Sequence, residues 1–129
     1  MTVDYVNNTN QRTPCVLVLD ASYSMGAKTS SGKSRIEELN EGIKELENAL
    51  KSDTTALTRV QLSVVAVGGP TQSAEMLMDW TDASNFTAFE LSPGGSTPLA
   101  EGLNIALQLI ETSKENLRSN GISYTRPWM

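Results

Sequence analysis

Cys15-Val16-Leu17-Val18-Leu19-Asp20-Ala21-Ser22-Tyr23-Ser24-Met25 is the stretch that decides the fold. Its first five residues are apolar without alternation and include β-branched valine. Such a run reads as a strand buried on both faces, as in parallel sheets covered by helices. An acid and two hydroxyls follow at once. Open α/β sheets bind ligands at the carboxyl ends of their strands, which is where Asp20, Ser22 and Ser24 fall. Alternate spacing in a tight loop lets three oxygen groups converge. Hard oxygen donors carrying little charge suit Mg²⁺ or a similar divalent cation. The plainer alternative is a turn after a strand, since Asp and Ser side chains bond nearby backbone groups.

Around this stretch lies a chain of 129 residues, 39% of them hydrophobic, enough for one domain with a core. No apolar run approaches the span of a bilayer, and the N-terminus MTVDYVNNTNQRTP has no signal-peptide core. The single cysteine, Cys15, cannot form an internal disulfide, which points to a reducing cytoplasm. A net charge of −5 without a basic cluster argues against nucleic acid as a partner. The absence of histidine removes His-based acid–base, triad and most zinc chemistry.

In order along the chain, residues 1–13 form a polar, loosely held lead-in, and Pro14 opens the first strand. Gly26 to Lys33 is a flexible connection. Ser34 and Glu37 make a capping box that starts a helix from Arg35 to about Lys51. Its apolar stripe is Ile36, Leu39, Ile43, Leu46 and Leu50. Arg59–Val67 reads as a second strand, broken by Gly68-Gly69-Pro70. Ala74–Trp80 reads as a third, joined by a short turn and therefore antiparallel to the second. Phe86 and Phe89 anchor the ambiguous segment that follows. Thr97 can cap a second long helix with Pro98 at its first position. Leu99, Leu103, Ala106 and Ile110 define its buried face, and Asn120-Gly121 its stop. Ile122–Met129 looks like the approach to another strand.

DASYSM, residues 20–25, resembles the D-x-S-x-S motif that opens the metal-ion-dependent adhesion site (MIDAS) of von Willebrand factor A (VWA) domains. Gly94-Gly95-Ser96-Thr97-Pro98-Leu99 is similar to the glycine-rich loop that presents the threonine of that site. The resemblance implies an α/β fold, a doubly wound, Rossmann-like sheet, mainly parallel with one antiparallel edge strand. It implies a non-catalytic, metal-dependent protein-binding module. Ser22, Ser24 and Thr97 would contact Mg²⁺, or another divalent cation such as Mn²⁺ or Ca²⁺, directly or nearly so. Asp20 would act partly through water, and the partner would complete the coordination with an acidic side chain.

A competing motif is Ala27–Ser34, AKTSSGKS, which fits a loosened phosphate-loop pattern between a strand and a helix and would use Lys33 and Ser34. Six residues separate it from Asp20, its serine caps the helix instead of entering it, and Asp79 is a poor acid for a nucleotide's Mg²⁺. A phosphatase reading of Asp20 fails because Ser22 stands where a second aspartate is needed. A third possibility is an assembly protein that keeps the VWA fold without a working metal site.

The resemblance runs from about Pro14 and is strongest to cytoplasmic bacterial members, including tellurite-resistance-associated ones. Residues 14–129 then correspond to the N-terminal portion of such a domain, ending before the fourth strand. The aspartate that the family supplies after that strand is absent. The free edge of Val16–Leu19 would need cover from a complementing chain or from a homo-oligomer. Neither a membrane nor nucleic acid is expected as a partner.

Overall fold

A computed structural model describes residues 3–70 and 73–129. Its centre is strand β1, Thr13–Ala21, which pairs in parallel with β2, Val60–Gly68; β2 pairs antiparallel with β3, Glu75–Asp82. The register sets Val16 opposite Ser63 and Asp20 opposite Val67. The order β1-β2-β3 makes an open mixed sheet with helices on both faces. It is the α/β architecture expected, with the antiparallel strand at one edge.

Alternation along β1 assigns the two faces. Cys15, Leu17, Leu19 and Ala21 join Leu62, Val64 and Ala66 in one core cluster beneath α1, Arg35–Ser52. Val16 and Val18 join Val65, Trp80 and Ala106 beneath α3, Leu99–Ser119. Helix α1 forms as its sequence dictates. The Ser34 hydroxyl accepts the Glu37 amide at 3.2 Å, and all five residues of the stripe from Ile36 to Leu50 pack into the first cluster. A short helix α2, Thr54–Arg59, follows, capped by Asp53 accepting the amides of Thr55 and Ala56.

Helix α3 departs from expectation. Leu99 and Leu103 do not lie inside; they are exposed, as is Leu107. The residues facing the sheet are Gly102, Ala106, Ser113 and Leu117. The helix lies so close that a Cβ on Gly102 would come within 2.4 Å of Val67 Cγ1, so small residues must face the strands. Trp80 on β3 donates its indole N–H to the Leu109 carbonyl at 2.8 Å. At 3.6 residues per turn, Leu103 and Leu107 fall on one exposed flank of the helix. The start also differs: Pro98, not Thr97, occupies the cap position, and no side chain caps this helix.

The lead-in is tied to the sheet at Asp4, whose N–H donates to Asp82 Oδ2 at 2.8 Å, and at Arg12. Arg12 is fully buried; its guanidinium bonds both carboxylate oxygens of buried Asp82 at 3.1 and 3.4 Å, plus the carbonyls of Asn10 and Asp4. At the other end of the chain, residues 123–128 run parallel to β1. Arg12 N–H donates to Ser123 O, Thr125 N–H to Arg12 O, Trp128 N–H to Pro14 O and Val16 N–H to Trp128 O. Among the described residues no such bond continues onto Val18. The segment therefore closes half of the edge, beside Arg12–Val16, and leaves the half leading to Asp20.

Candidate functional site

Strand β1 delivers Asp20 to the carboxyl end of the sheet, and the chain turns there on its own side chain. Asp20 Oδ1 accepts the Ser22 amide at 2.8 Å, the local bond that makes Asp a turn residue. One turn of 3-10 helix, Tyr23–Gly26, then brings the Ser24 hydroxyl to 3.2 Å from the Ser22 hydroxyl. Ser22 is buried, Asp20 half-buried and Ser24 exposed, so the group grades from core to solvent.

The glycine-rich loop docks on this turn. Gly94 N–H donates to Ala21 O at 2.9 Å, Gly69 N–H to Gly94 O at 2.7 Å and Tyr23 N–H to Gly95 O at 2.9 Å. Gly68, at the end of β2, has φ +83°, and a Cβ there would lie 2.6 Å from Ser96 O and 2.8 Å from Ser22 Cα. Three chain segments cross at this point, and only a residue without a side chain fits between them. The loop is held from behind by Asn40 of α1, whose amide bonds both backbone groups of Leu91 at 2.8 and 3.0 Å. Phe86, fully buried, packs edge-on against Phe89. Thr97 follows Ser96 on this loop, exposed, and its hydroxyl does not cap α3.

The structure thus brings Asp20, Ser22 and Ser24 into one turn and fastens the loop carrying Thr97 across it. As a donor set this fits a hard cation held at low charge: one carboxylate and hydroxyls, all oxygen. Among the described residues, no group of three or more His, Cys, Asp or Glu is arranged to hold a metal. The crossing at Gly68 is the feature that motif reading missed; the paired glycines at 68–69 and 94–95 were its only trace. Cys15 offers no alternative chemistry, since burial pushes its thiol pKa up and away from the reactive thiolate.

AKTSSGKS is a small closed hairpin. Thr29 N–H donates to Lys33 O at 2.8 Å and Gly32 N–H to Thr29 O at 3.1 Å, so amides a phosphate would need are engaged. Lys33 pairs with Glu41, and the Thr29 and Ser31 hydroxyls donate to Glu38 at 2.7 and 2.6 Å. The hydroxyl of Ser31, then that of Thr29, holds the Glu38 pKa below the usual carboxylate range. An ionised carboxylate across the hairpin repels phosphate.

The sequence model of the von Willebrand factor type A domain matches residues 15–123. The chain belongs to this family. Solved structures agree on the fold. An uncharacterized membrane spanning protein from Vibrio fischeri superposes with TM-score 0.55 at 20% identity, over 81% of this chain and 52% of its own. The PilB minor pilin from Streptococcus sanguinis gives 0.59 at 18%, over 80% and 27%. The SpRpn10 VWA domain gives 0.55 at 14%, over 78% and 51%. This VWA chain therefore spans about half, or less, of the structures it matches. No curated protein matches it. Membership supports a protein-interaction module; the tellurite-resistance-associated subtype rests on sequence resemblance alone. Among the described residues, no helix is long and apolar enough to cross a membrane.

Proposed function

We propose that this VWA domain is a non-catalytic protein-binding module whose contact with its partner depends on a divalent cation, Mg²⁺ first. The observation that carries the reading is the Ser22–Ser24 hydroxyl pair, 3.2 Å apart, beside the anchored carboxylate of Asp20. Ser22, Ser24 and Thr97 would hold the ion directly, Asp20 partly through water. When bound, the cation supplies positive charge for a carboxylate of the partner to meet. One carboxylate compensates little of that charge, so the free domain should bind Mg²⁺ at roughly millimolar affinity or weaker. Titration calorimetry tests this: Asp20→Ala should remove the binding isotherm, and tight binding that survives the substitution overturns the assignment.

A second partnership is favoured by the edge of β1. Its backbone ladder stops at Val16, and Leu103 and Leu107 on α3, which packs on β1, are exposed. Unpaired strand backbone beside exposed leucines favours association. The occupant would be another copy of the chain or a complementing chain adding a parallel strand beside Val18.

A further inference from the structure

Beside the serine pair lies a groove of about 360 Å³ lined by Tyr23, Ser24, Gly26, Ala27 and Pro93. Ser24 belongs to both the groove and the proposed cation site. We infer that this groove reads the partner segment next to its metal-bound acid, accepting an apolar side chain followed by a second acidic residue. The inference rests on the metal-dependent reading above and adds the partner's chemistry to it.

Three observations carry it. First, Tyr23 is 80% exposed although its backbone is fixed, its amide donating to Gly95 O at 2.9 Å inside a turn closed by Met25 and Ala27 amides. An aromatic ring on a pinned backbone loses little freedom when covered, which is why tyrosine recurs at the energetic centres of interfaces. Second, the groove's width depends on a missing side chain: a Cβ on Gly26 would stand 3.5 Å from Pro93 Cγ, in contact but without clash. Third, charge assigns the sign of the occupant. The chain carries −5 overall and should repel acidic segments in general. At the Ala27 end, however, lie Lys28 and Arg35, the latter donating its backbone N–H to Ala27 O at 3.0 Å. Both are exposed, and neither has an ion-pair partner among the described residues, whereas neighbouring Lys33 is paired with Glu41. Two cations without an ion-pair partner among the described residues are thus carried by residues adjoining Ala27, one next in sequence and one bonded to it through the backbone. A free phosphate would also be drawn by them, but the Thr29–Lys33 hairpin has its amides engaged and Glu38 facing it.

The test is selection from a synthetic heptapeptide library with a fixed central aspartate, on the whole chain in Mg²⁺. Enrichment of an apolar residue beside the fixed aspartate and an acid beyond it is the expected result; no enrichment, or enrichment of basic residues, overturns the inference. The selected peptide should bind Tyr23→Ala about tenfold more weakly, and Gly26→Ala and Lys28→Glu several-fold more weakly, with Mg²⁺ binding unchanged in all three. Unaltered peptide affinity in these variants sinks the groove while leaving the cation site intact. Peptide binding indifferent to Mg²⁺ and to Asp20→Ala, yet lost in Tyr23→Ala, sinks the metal-dependent reading and keeps the groove. Displacement of the peptide by millimolar inorganic phosphate or ATP overturns the peptide assignment in favour of a phosphate site.

Discussion

The two long helices cover opposite faces of the same sheet by opposite means. Helix α1 buries a stripe of bulky residues, Ile36, Ile43 and Leu50, flanked by Leu39 and Leu46. Helix α3 turns Gly102 and Ala106 to the strands and leaves Leu99, Leu103 and Leu107 in solvent. One helix is held by volume, the other by proximity. Leucine at helical spacing therefore marks an apolar flank, but it does not say whether that flank meets this chain's own sheet or something beyond it.

The contrast should break most visibly on the α1 side. Ile43→Ala removes buried methylenes from a packed cluster and should cost about 3 kcal/mol, read as a lower urea midpoint at unchanged slope. On the α3 side alanine should do harm by adding volume instead of removing it. Gly102→Ala gains about 1 kcal/mol of helix propensity, but its Cβ must displace the buried, χ1-stiff Val67, at about 1–3 kcal/mol. A net loss of about 1 kcal/mol is expected; a rise in stability would show that α3 can lift off the sheet cheaply. The smallest effect should come from the outward leucines. Leu107→Gln should leave monomer stability within about 0.5 kcal/mol while weakening self-association in sedimentation equilibrium. A chain that is monomeric at micromolar concentration both before and after this change, with the Val18 amide protected from exchange, removes the edge as a docking surface.

What could be read from the residues follows a physical divide. Strand β1, the capped helix α1 and the antiparallel return into β3 are written in local pattern and matched. Asp20, Ser22 and Ser24 share one turn for the same local reason, because an Asp turn assembles itself from neighbours. Helix α2 escaped notice because six residues are too few to show a period; Asp53 was its one signal. On α3 the expected Ala106 and Ile110 do pack against the sheet, but Leu99 and Leu103 do not, because hydrophobic spacing ranks large residues over the small ones, such as Gly102, that close approach requires. The meeting of Gly68 with Ser22 and Ser96 depends on strand order, which no local window contains. The same holds for the packing of residues 3–12, whose polarity concealed one buried cation.

That cation, Arg12, bears on how the chain folds. Its side chain pairs with Asp82, 70 residues away, while its backbone and that of Thr13's neighbourhood meet the segment around Thr125, 112 residues from Thr13. Contacts so distant in sequence form late, because loop closure must precede any reward. Until they form, burying the guanidinium is heavily penalised, so partly folded chains keep this end of β1 wet. The start of β1 thus joins the far edge strand through the Arg12 side chain and the 123–128 segment through its backbone, so three distant parts of the chain meet at one place.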